Sequence, residues 1–359
     1  MLSTKKTTIN LLQALRAFAA LSVVLFHMGL GMYQTAQVKL IHIFNFGFSG
    51  VDIFFVLSGF IIYHSALQNP AMTATQFLLR RLIRIFPIYW FILILILLPF
   101  FADPAFLHSH FSINHAIQSG GVKFFIASFL LLPFVIPGLL PVSWTLSFEM
   151  LFYILFFIFF FRSRVLFFVV LSTWVCICFI TQFLHPINFM SERCFSFVPI
   201  LNPIVSEFLF GCVVAVLAAR YEYRYASIIF LIGAILFLVS AILCLGDSFE
   251  TAAYGLPAAL IVYGLAGLTM KAPRFFVYLG DASYSIYIFH LPILTVLGKN
   301  KALFNFFGAY LATLIIFFLI VIISCLAHSF IEKPMLLFCK RKFLTEKRNG
   351  SSSLAGYSA

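Results

Sequence analysis

The sequence predicts an all-α, polytopic transmembrane helix bundle of about ten spans with both termini in the cytoplasm. Three observations carry that expectation. Hydrophobic residues make up 63% of the 359 positions and charged residues only 9%, a balance that soluble globular domains do not reach. Apolar runs such as "LFYILFFIFFF" recur at the length that a bilayer core demands, and phenylalanine alone supplies 49 residues. The lysines and arginines fall mostly into alternate inter-span segments, the pattern that sets membrane orientation.

Runs of about twenty apolar residues place spans near 10–30, 46–66, 82–101, 142–161, 165–184, 199–219, 226–245, 252–270, 275–297 and 304–328. Lys5 and Lys6 precede the first run as in a signal peptide. The run is long, contains Arg16 and lacks a small-residue cleavage site, so it is expected to remain as the first span. With a cytoplasmic N-terminus, seventeen basic residues fall inside, from Lys5 to Arg348, and Lys39, Lys123, Arg193, Lys299 and Lys301 fall outside. The stretch 124–141 is apolar but broken by Pro133, Pro137 and Pro141. Counting it as a span would place Arg162 and Arg164 outside, so it reads as a re-entrant or interfacial element on the external face. A transmembrane domain over 1–338 is then followed by a disordered tail, 339–359, basic and then Ser/Gly-rich.

The net charge of +12 would suggest nucleic acid in a soluble chain, but here it follows topology, and no nucleic-acid partner is expected. The seven cysteines show no metal-ligand spacing and read as packing residues. His108, His110 and His115 have no acid or cysteine alongside, so no metal site is expected. The chain shows no internal repeat, which weakens an inverted-repeat transporter.

Ionisable residues inside spans are costly, and their default reading is functional. In "LLQALRAFAALSVVLFHMG" Arg16 and His27 lie eleven positions apart, which puts them within roughly 20° on one helix face and about 16 Å apart along it. The bland alternatives are a snorkelling arginine and a packing histidine. "GFSGVDIFFVLSGF" brings Asp52 to a depth similar to that of His27, where it either orients a histidine or caps a helix start. Ser58 and Gly59 read as close-contact residues. "RRLIRIFPIYW" sets Arg80, Arg81 and Arg84 at helical-neighbour spacing, suited to phosphate oxygens or to plain membrane anchoring. "PVSWTLSFEMLFY" carries Trp144 at the interface, Glu149 about two turns deeper, and Tyr153 one turn further on the same side. Glu149 reads as an acid, base or histidine partner, or as half of a structural ion pair. "LGDASYSIYIFHLPIL" adds Asp281 near the cytoplasm and His290 in the outer half of its span, with Pro292 expected to loosen the helix beyond it. Glu207 stands in the sixth span without an evident partner in sequence.

Together these stretches resemble the acyltransferase-3 family of bacterial membrane acyltransferases, in particular those that acetylate exopolysaccharides and lipopolysaccharide O-antigens. The most specific part is the Arg16 to His27 spacing within "LRAFAALSVVLFH". "GVDIFFVLSGF", "RRLIRIFPIY", "SWTLSFEMLFY" and "SYSIYIFHLP" follow in the expected order. The resemblance implies a ten-helix bundle in the bacterial inner membrane. It takes acetyl from cytoplasmic acetyl-CoA, with no permanently bound cofactor, to a hydroxyl of a surface polysaccharide or lipid-linked glycan.

On that resemblance His27 is the catalytic histidine, Arg16 supports the donor site, and Arg80, Arg81 and Arg84 bind CoA phosphates. Trp144 and Glu149 match the family's tryptophan and glutamate pair, and Asp52 its second-span acid. From the residues themselves, Glu149 is the favoured partner of the imidazole because its burial is the less ambiguous, Trp144 and Tyr153 are expected to contact substrate, and His290 either does so in a polar cavity with His27, Asp52 and Glu149 or is a structural histidine. General-base and acyl-histidine routes both fit the residues. A proton-coupled transporter or glycan flippase, or a non-catalytic receptor, would use the same intramembrane polar residues differently.

Overall fold

A computed structural model describes residues 2–36, 44–102, 113–133, 138–184, 198–245, 251–298 and 300–345, and among them the chain is helical with no β-strand. The long N-terminal helix α1 (Leu2–Ala36) is followed by α2 (Gly50–Gln68) and α3 (Ala74–Ala102). The turn into α3 carries a reciprocal cap. The Gln76 backbone N–H donates to Thr73 Oγ1 at 3.2 Å, and the Thr73 N–H donates to Gln76 Oε1 at 3.3 Å.

A helix α4 (Ile113–Phe129) is broken at Gly121, where φ is +52°, so its straight part from Gly121 to Phe129 is about 13 Å long. That is far short of a bilayer core. Its terminal carbonyls are satisfied from α3: Tyr89 OH donates to Ser128 O at 2.7 Å and Trp90 Nε1 to Phe129 O at 2.9 Å. Among its described residues the proline-broken stretch is helical as far as Phe129, and the chain turns at Leu130 and Leu131. Pro137 lies outside the described residues.

Helix α5 (Ser143–Leu155) continues through a wide π-type turn at Phe156–Phe160 into a short loop, and α6 (Arg164–Leu184) follows with Ser163 Oγ accepting from Leu166 N. Next come α7 (Val205–Tyr221), α8 (Ala226–Leu243) and α9 (Leu256–Gly267). The chain then forms α10 (Arg274–Asp281), α11 (Ser283–Leu297), α12 (Lys301–Phe307) and α13 (Ala309–Ala327). A π-type turn at His328–Glu332 leads into α14 (Lys333–Lys340), and Arg341–Thr345 is one further wide helical turn. Residues 339–345, expected in a disordered tail, are therefore helical; 346–359 lie outside the described residues. Pro292 was expected to loosen its helix, yet α11 runs unbroken through it to Leu297.

Among the described residues, seven stretches are long and apolar enough to cross a membrane: 10–30, 45–68, 74–98, 143–160, 164–184, 226–243 and 309–344. This is a multi-pass membrane protein. The other three predicted spans fall on shorter helices: α7 has 17 residues, about 25 Å, and α9 with its leading turn and α11 are of the same order or shorter. Burial separates centre from rim. Two thirds of the α2 stretch is buried (67%), against 22% for α6 and α8, whose outer faces present Ile177, Ile180, Phe183, Ile228 and Leu231. Those faces suit lipid, where an apolar side chain needs no protein cover.

Between helices, lipid offers the same apolar surroundings as protein, so close fit rather than hydrophobic transfer holds the bundle. Helices α2 and α7 cross at Gly59 and Gly211. A Cβ on Gly59 would collide with the Phe208 carbonyl, and one on Gly211 with that of Val56. Helices α1 and α10 meet at Gly280, where a Cβ would run into the backbone carbonyl of Gln13. This second contact bears directly on the site.

Candidate functional site

The polar side chains of five helices converge on one cavity with about 760 Å³ of unfilled space, part of it open to the outside. Arg16 enters from α1, Ser58 from α2, Arg81 and Arg84 from α3, Thr145, Glu149 and Tyr153 from α5, and Tyr284 and Tyr287 from α11. The rest of the wall is apolar, with Phe54, Phe55, Ile61 and Ile85 among it. Three guanidinium groups therefore face a space whose lining holds a single acid. Among the described residues only His328 and Glu332 form a salt bridge, so none of the three arginines is neutralised by direct contact.

Arg16 and Arg81 are each held by local structure. Arg16 Nη1 donates to Gln13 Oε1 at 3.2 Å, and Gln13 Nε2 donates to Asp281 Oδ1 at 2.8 Å, so the α1–α10 contact at Gly280 sets the approach of the guanidinium. Arg81 lies over the rings of Phe77 (5.4 Å) and Tyr153 (5.7 Å), and its Nε is buried without a hydrogen-bond partner among the described residues. Arg84 follows Arg81 at the i,i+3 spacing and lines the same cavity. Arg80 does not. It is exposed and borders a separate, smaller recess formed with Thr75, Gln76, Phe343 and Leu344, so the predicted trio of adjacent arginines divides between two faces of α3.

Glu149 accepts from Ser58 Oγ at 2.9 Å and from Tyr153 OH through the same oxygen, Oε1. The expected Glu149–His27 pairing is not what the structure shows. The His27 ring bonds instead to the Val23 carbonyl, 2.9 Å from Nδ1, and to Nε2 of His290, 3.2 Å from the same Nδ1. His290, expected to contact substrate, is fully buried, and its Nδ1 sits 2.6 Å from the Tyr287 carbonyl. Asp52 is fully buried in the first turn of α2, outside the cavity lining.

Tyr287 joins the two regions. Its side chain lines the arginine cavity, where the hydroxyl meets Thr145 Oγ1 at 2.7 Å and the Val142 carbonyl at 3.1 Å, while its own carbonyl holds His290. Trp144 is not part of the cavity lining; it packs on Phe55 (6.4 Å), which is, and on Phe148 (6.0 Å). Glu207 is buried against the backbone at Gly255, where a Cβ would lie 3.0 Å from its Oε1.

Sequence reading overlooked the hydroxyls. Ser58, Thr145, Tyr284 and Tyr287 all line the cavity, but a neutral hydroxyl costs a span little and does not stand out in an apolar run. It also overlooked Glu332, which accepts from Ser285 Oγ at 2.6 Å and pairs with His328 at 2.8 Å; an acid closing the apolar run of α13 was the available signal. No metal-ligating cluster occurs among the described residues. His108 and His110 lie outside them, as do Lys39, Arg193 and Lys299.

Chemically, the cavity offers guanidinium forks for an anionic group, a carboxylate held by two hydroxyls, and, beyond Tyr287, a pair of imidazoles able to move a proton. Three relatives are similar to this chain over part or most of its length. The exopolysaccharide production protein ExoZ of Rhizobium meliloti is 28% identical over 74% of this chain and 82% of its own length. The acyltransferase MdmB of Streptomyces mycarofaciens is 25% identical, covering 79% and 78%. The peptidoglycan O-acetyltransferase OatA of Listeria monocytogenes is 32% identical over 27% of this chain and 14% of its own length. No solved structure matches the chain significantly. The acyltransferase-3 profile, described as an acyltransferase domain, matches residues 9–330, and the chain accordingly belongs to that family and is an acyltransferase.

Proposed function

We propose that this enzyme moves an acetyl group from cytoplasmic acetyl-CoA to a hydroxyl of a cell-surface glycan, either exopolysaccharide or lipopolysaccharide O-antigen. It works in the bacterial inner membrane, through ten spans with both termini inside. The observation that carries this reading is the continuity from the cavity of Arg16, Arg81 and Arg84, through Tyr287, to the His290–His27 pair. Phosphates of the donor rest on the guanidinium groups, Arg80 guiding them from the exposed face. The pantetheine arm spans the distance along α1 from Arg16 to His27, about 16 Å for eleven residues. Trp144 supports the wall and Tyr153 the carboxylate, while Asp52 sets the start of α2.

His27 then acts on the acceptor. Its Nε2 takes the proton of the glycan hydroxyl as that oxygen attacks the thioester carbonyl; the C–S bond breaks and the proton passes to the departing thiolate. ExoZ and OatA, by name, serve exopolysaccharide production and peptidoglycan O-acetylation, which supports a glycan acceptor here.

The test is ester-linked acetate on the surface polysaccharide of cells that carry the intact chain or the His27→Ala variant, with consumption of acetyl-CoA measured in parallel. The variant is expected to insert normally and to leave the glycan unacetylated. Acetate unchanged in the variant overturns the assignment of His27. Movement of an unmodified solute without acetyl-CoA consumption by the intact chain would instead identify a transporter.

A further inference from the structure

We propose that His290 is the positioning residue of the reaction: it accepts the Nδ1 proton of His27 and thereby fixes the tautomer in which His27 Nε2 is the base. The proposal rests on the reading of His27 as the reacting imidazole.

The polarity of the pair follows from the two backbone carbonyls around it. A carbonyl oxygen accepts hydrogen bonds and cannot donate. His290 Nδ1 lies 2.6 Å from the Tyr287 carbonyl and so carries a hydrogen. In a neutral imidazole that leaves Nε2 of His290 with a lone pair. His27 Nδ1 lies 2.9 Å from the Val23 carbonyl and therefore also carries its hydrogen, which is shared with the lone pair of His290 Nε2 at 3.2 Å. Every atom is satisfied by one arrangement. With the opposite polarity, a lone pair on His27 Nδ1 would face the Val23 oxygen and another on His290 Nδ1 the Tyr287 oxygen, two repulsive contacts in a buried place.

The consequence for His27 is specific. With Nδ1 protonated, Nε2 holds the only lone pair of the ring and is the atom that can take a hydroxyl proton. When it does, the imidazolium that forms still points Nδ1–H at His290 and at Val23 O. The pair thus does the orienting work that a carboxylate does in a Ser-His-Asp triad, but with a neutral acceptor. A neutral acceptor holds the cation less strongly, which favours return of the proton to the leaving thiolate. The structure also fixes His290 itself. It is fully buried on α11, its ring stands 5.0 Å from that of His27, and Tyr287 ties the same helix to Val142 and Thr145 on the α5 side.

The experiment has two arms. In the first, the full chain with ¹⁵N-labelled histidine rings is reconstituted in lipid nanodiscs, and the His27 signals are assigned as those missing from His27→Ala. We expect a protonated Nδ1 coupled to a second imidazole nitrogen across an N–H···N bond; an Nε2–H tautomer in His27 overturns the proposal without any variant at 290. In the second, thiol release from acetyl-CoA is followed in membrane vesicles bearing the host's own surface polysaccharide. His290→Phe, which has no acceptor, is expected to lower kcat by about 30-fold or more with KM for acetyl-CoA within about twofold, while His290→Gln, whose Oε1 replaces Nε2 as acceptor, recovers at least about a third of the loss on a logarithmic scale. Equal effects of Phe and Gln, or a change in KM alone, reduce His290 to a packing residue. An active His27→Ala variant would sink the assigned role of His27, while the measured tautomer would stand by itself.

Discussion

Arg80 and Arg81 are neighbours in sequence and are exposed to different surroundings, because α3 turns by about 100° per residue and only one of the two directions faces the bundle. Charge-assisted hydrogen bonds to phosphate are worth about 1.5–3 kcal/mol each, so removing Arg81 or Arg84 by substitution with alanine should raise the KM for acyl-CoA roughly 10- to 100-fold. Arg80→Ala should raise it by about threefold or less, as steady-state kinetics in vesicles will show. Equal effects for all three would mean that the cavity is not the donor site. Tyr153→Phe removes one of two hydroxyls from Glu149 while leaving Ser58 in place, and a fall in kcat of about 5- to 10-fold is expected. At this scale the charged residues were legible in the sequence, because charge in an apolar run is conspicuous. Ser58, Thr145 and Tyr287 were not, because a hydroxyl is cheap in a helix and takes its meaning from what lies across the gap. The partner of His27 was misjudged for a related reason: two acids looked better suited than a second histidine 263 positions away, and no spacing rule connects residues so remote.

Among the helices, function depends on how closely backbones approach. The crossing of α2 and α7 at Gly59 and Gly211 leaves no room for a side chain, so Gly59→Val or Gly211→Val should cost about 1–3 kcal/mol or more. A lower midpoint in thermal unfolding of the detergent-solubilised protein checks this, and an unchanged midpoint would show the crossing to be loose. Gly280→Ala acts differently. It presses on the Gln13 carbonyl, and Gln13 bridges Asp281 to Arg16, so this variant should weaken acyl-CoA binding more than it lowers the unfolding midpoint. A fall in the midpoint alone, with KM intact, would disconnect the α1–α10 contact from the site. Helix positions were mostly legible, since apolar length is read directly from composition. Their ends were less so: the π-type turns at Phe156–Phe160 and His328–Glu332 depend on packing and carry no composition signal.

Over the whole molecule, orientation and assembly of the cavity are separate matters. Lys123 is exposed on α4 just after its kink and Lys342 is exposed beyond α14. In a variant freed of native cysteines, Lys123→Cys should react with a membrane-impermeant maleimide in intact cells, and Lys342→Cys only after permeabilisation. The reverse pattern would invert the topology. By itself, the sequence determined that the chain is an α-helical membrane protein, where its apolar segments lie and which ionisable residues are costly enough to need a purpose. These follow from hydropathy and charge, which are properties of single residues and short runs. Only the tertiary structure decided that Arg16, Arg81 and Arg84 share one cavity while Arg80 faces away, that Glu149 is held by Ser58 and Tyr153, and that His27 is paired with His290. Hydrogen bonds act over about 3 Å, so they are settled by the rotation and crossing of helices distant in sequence, and no local pattern of residues encodes that geometry.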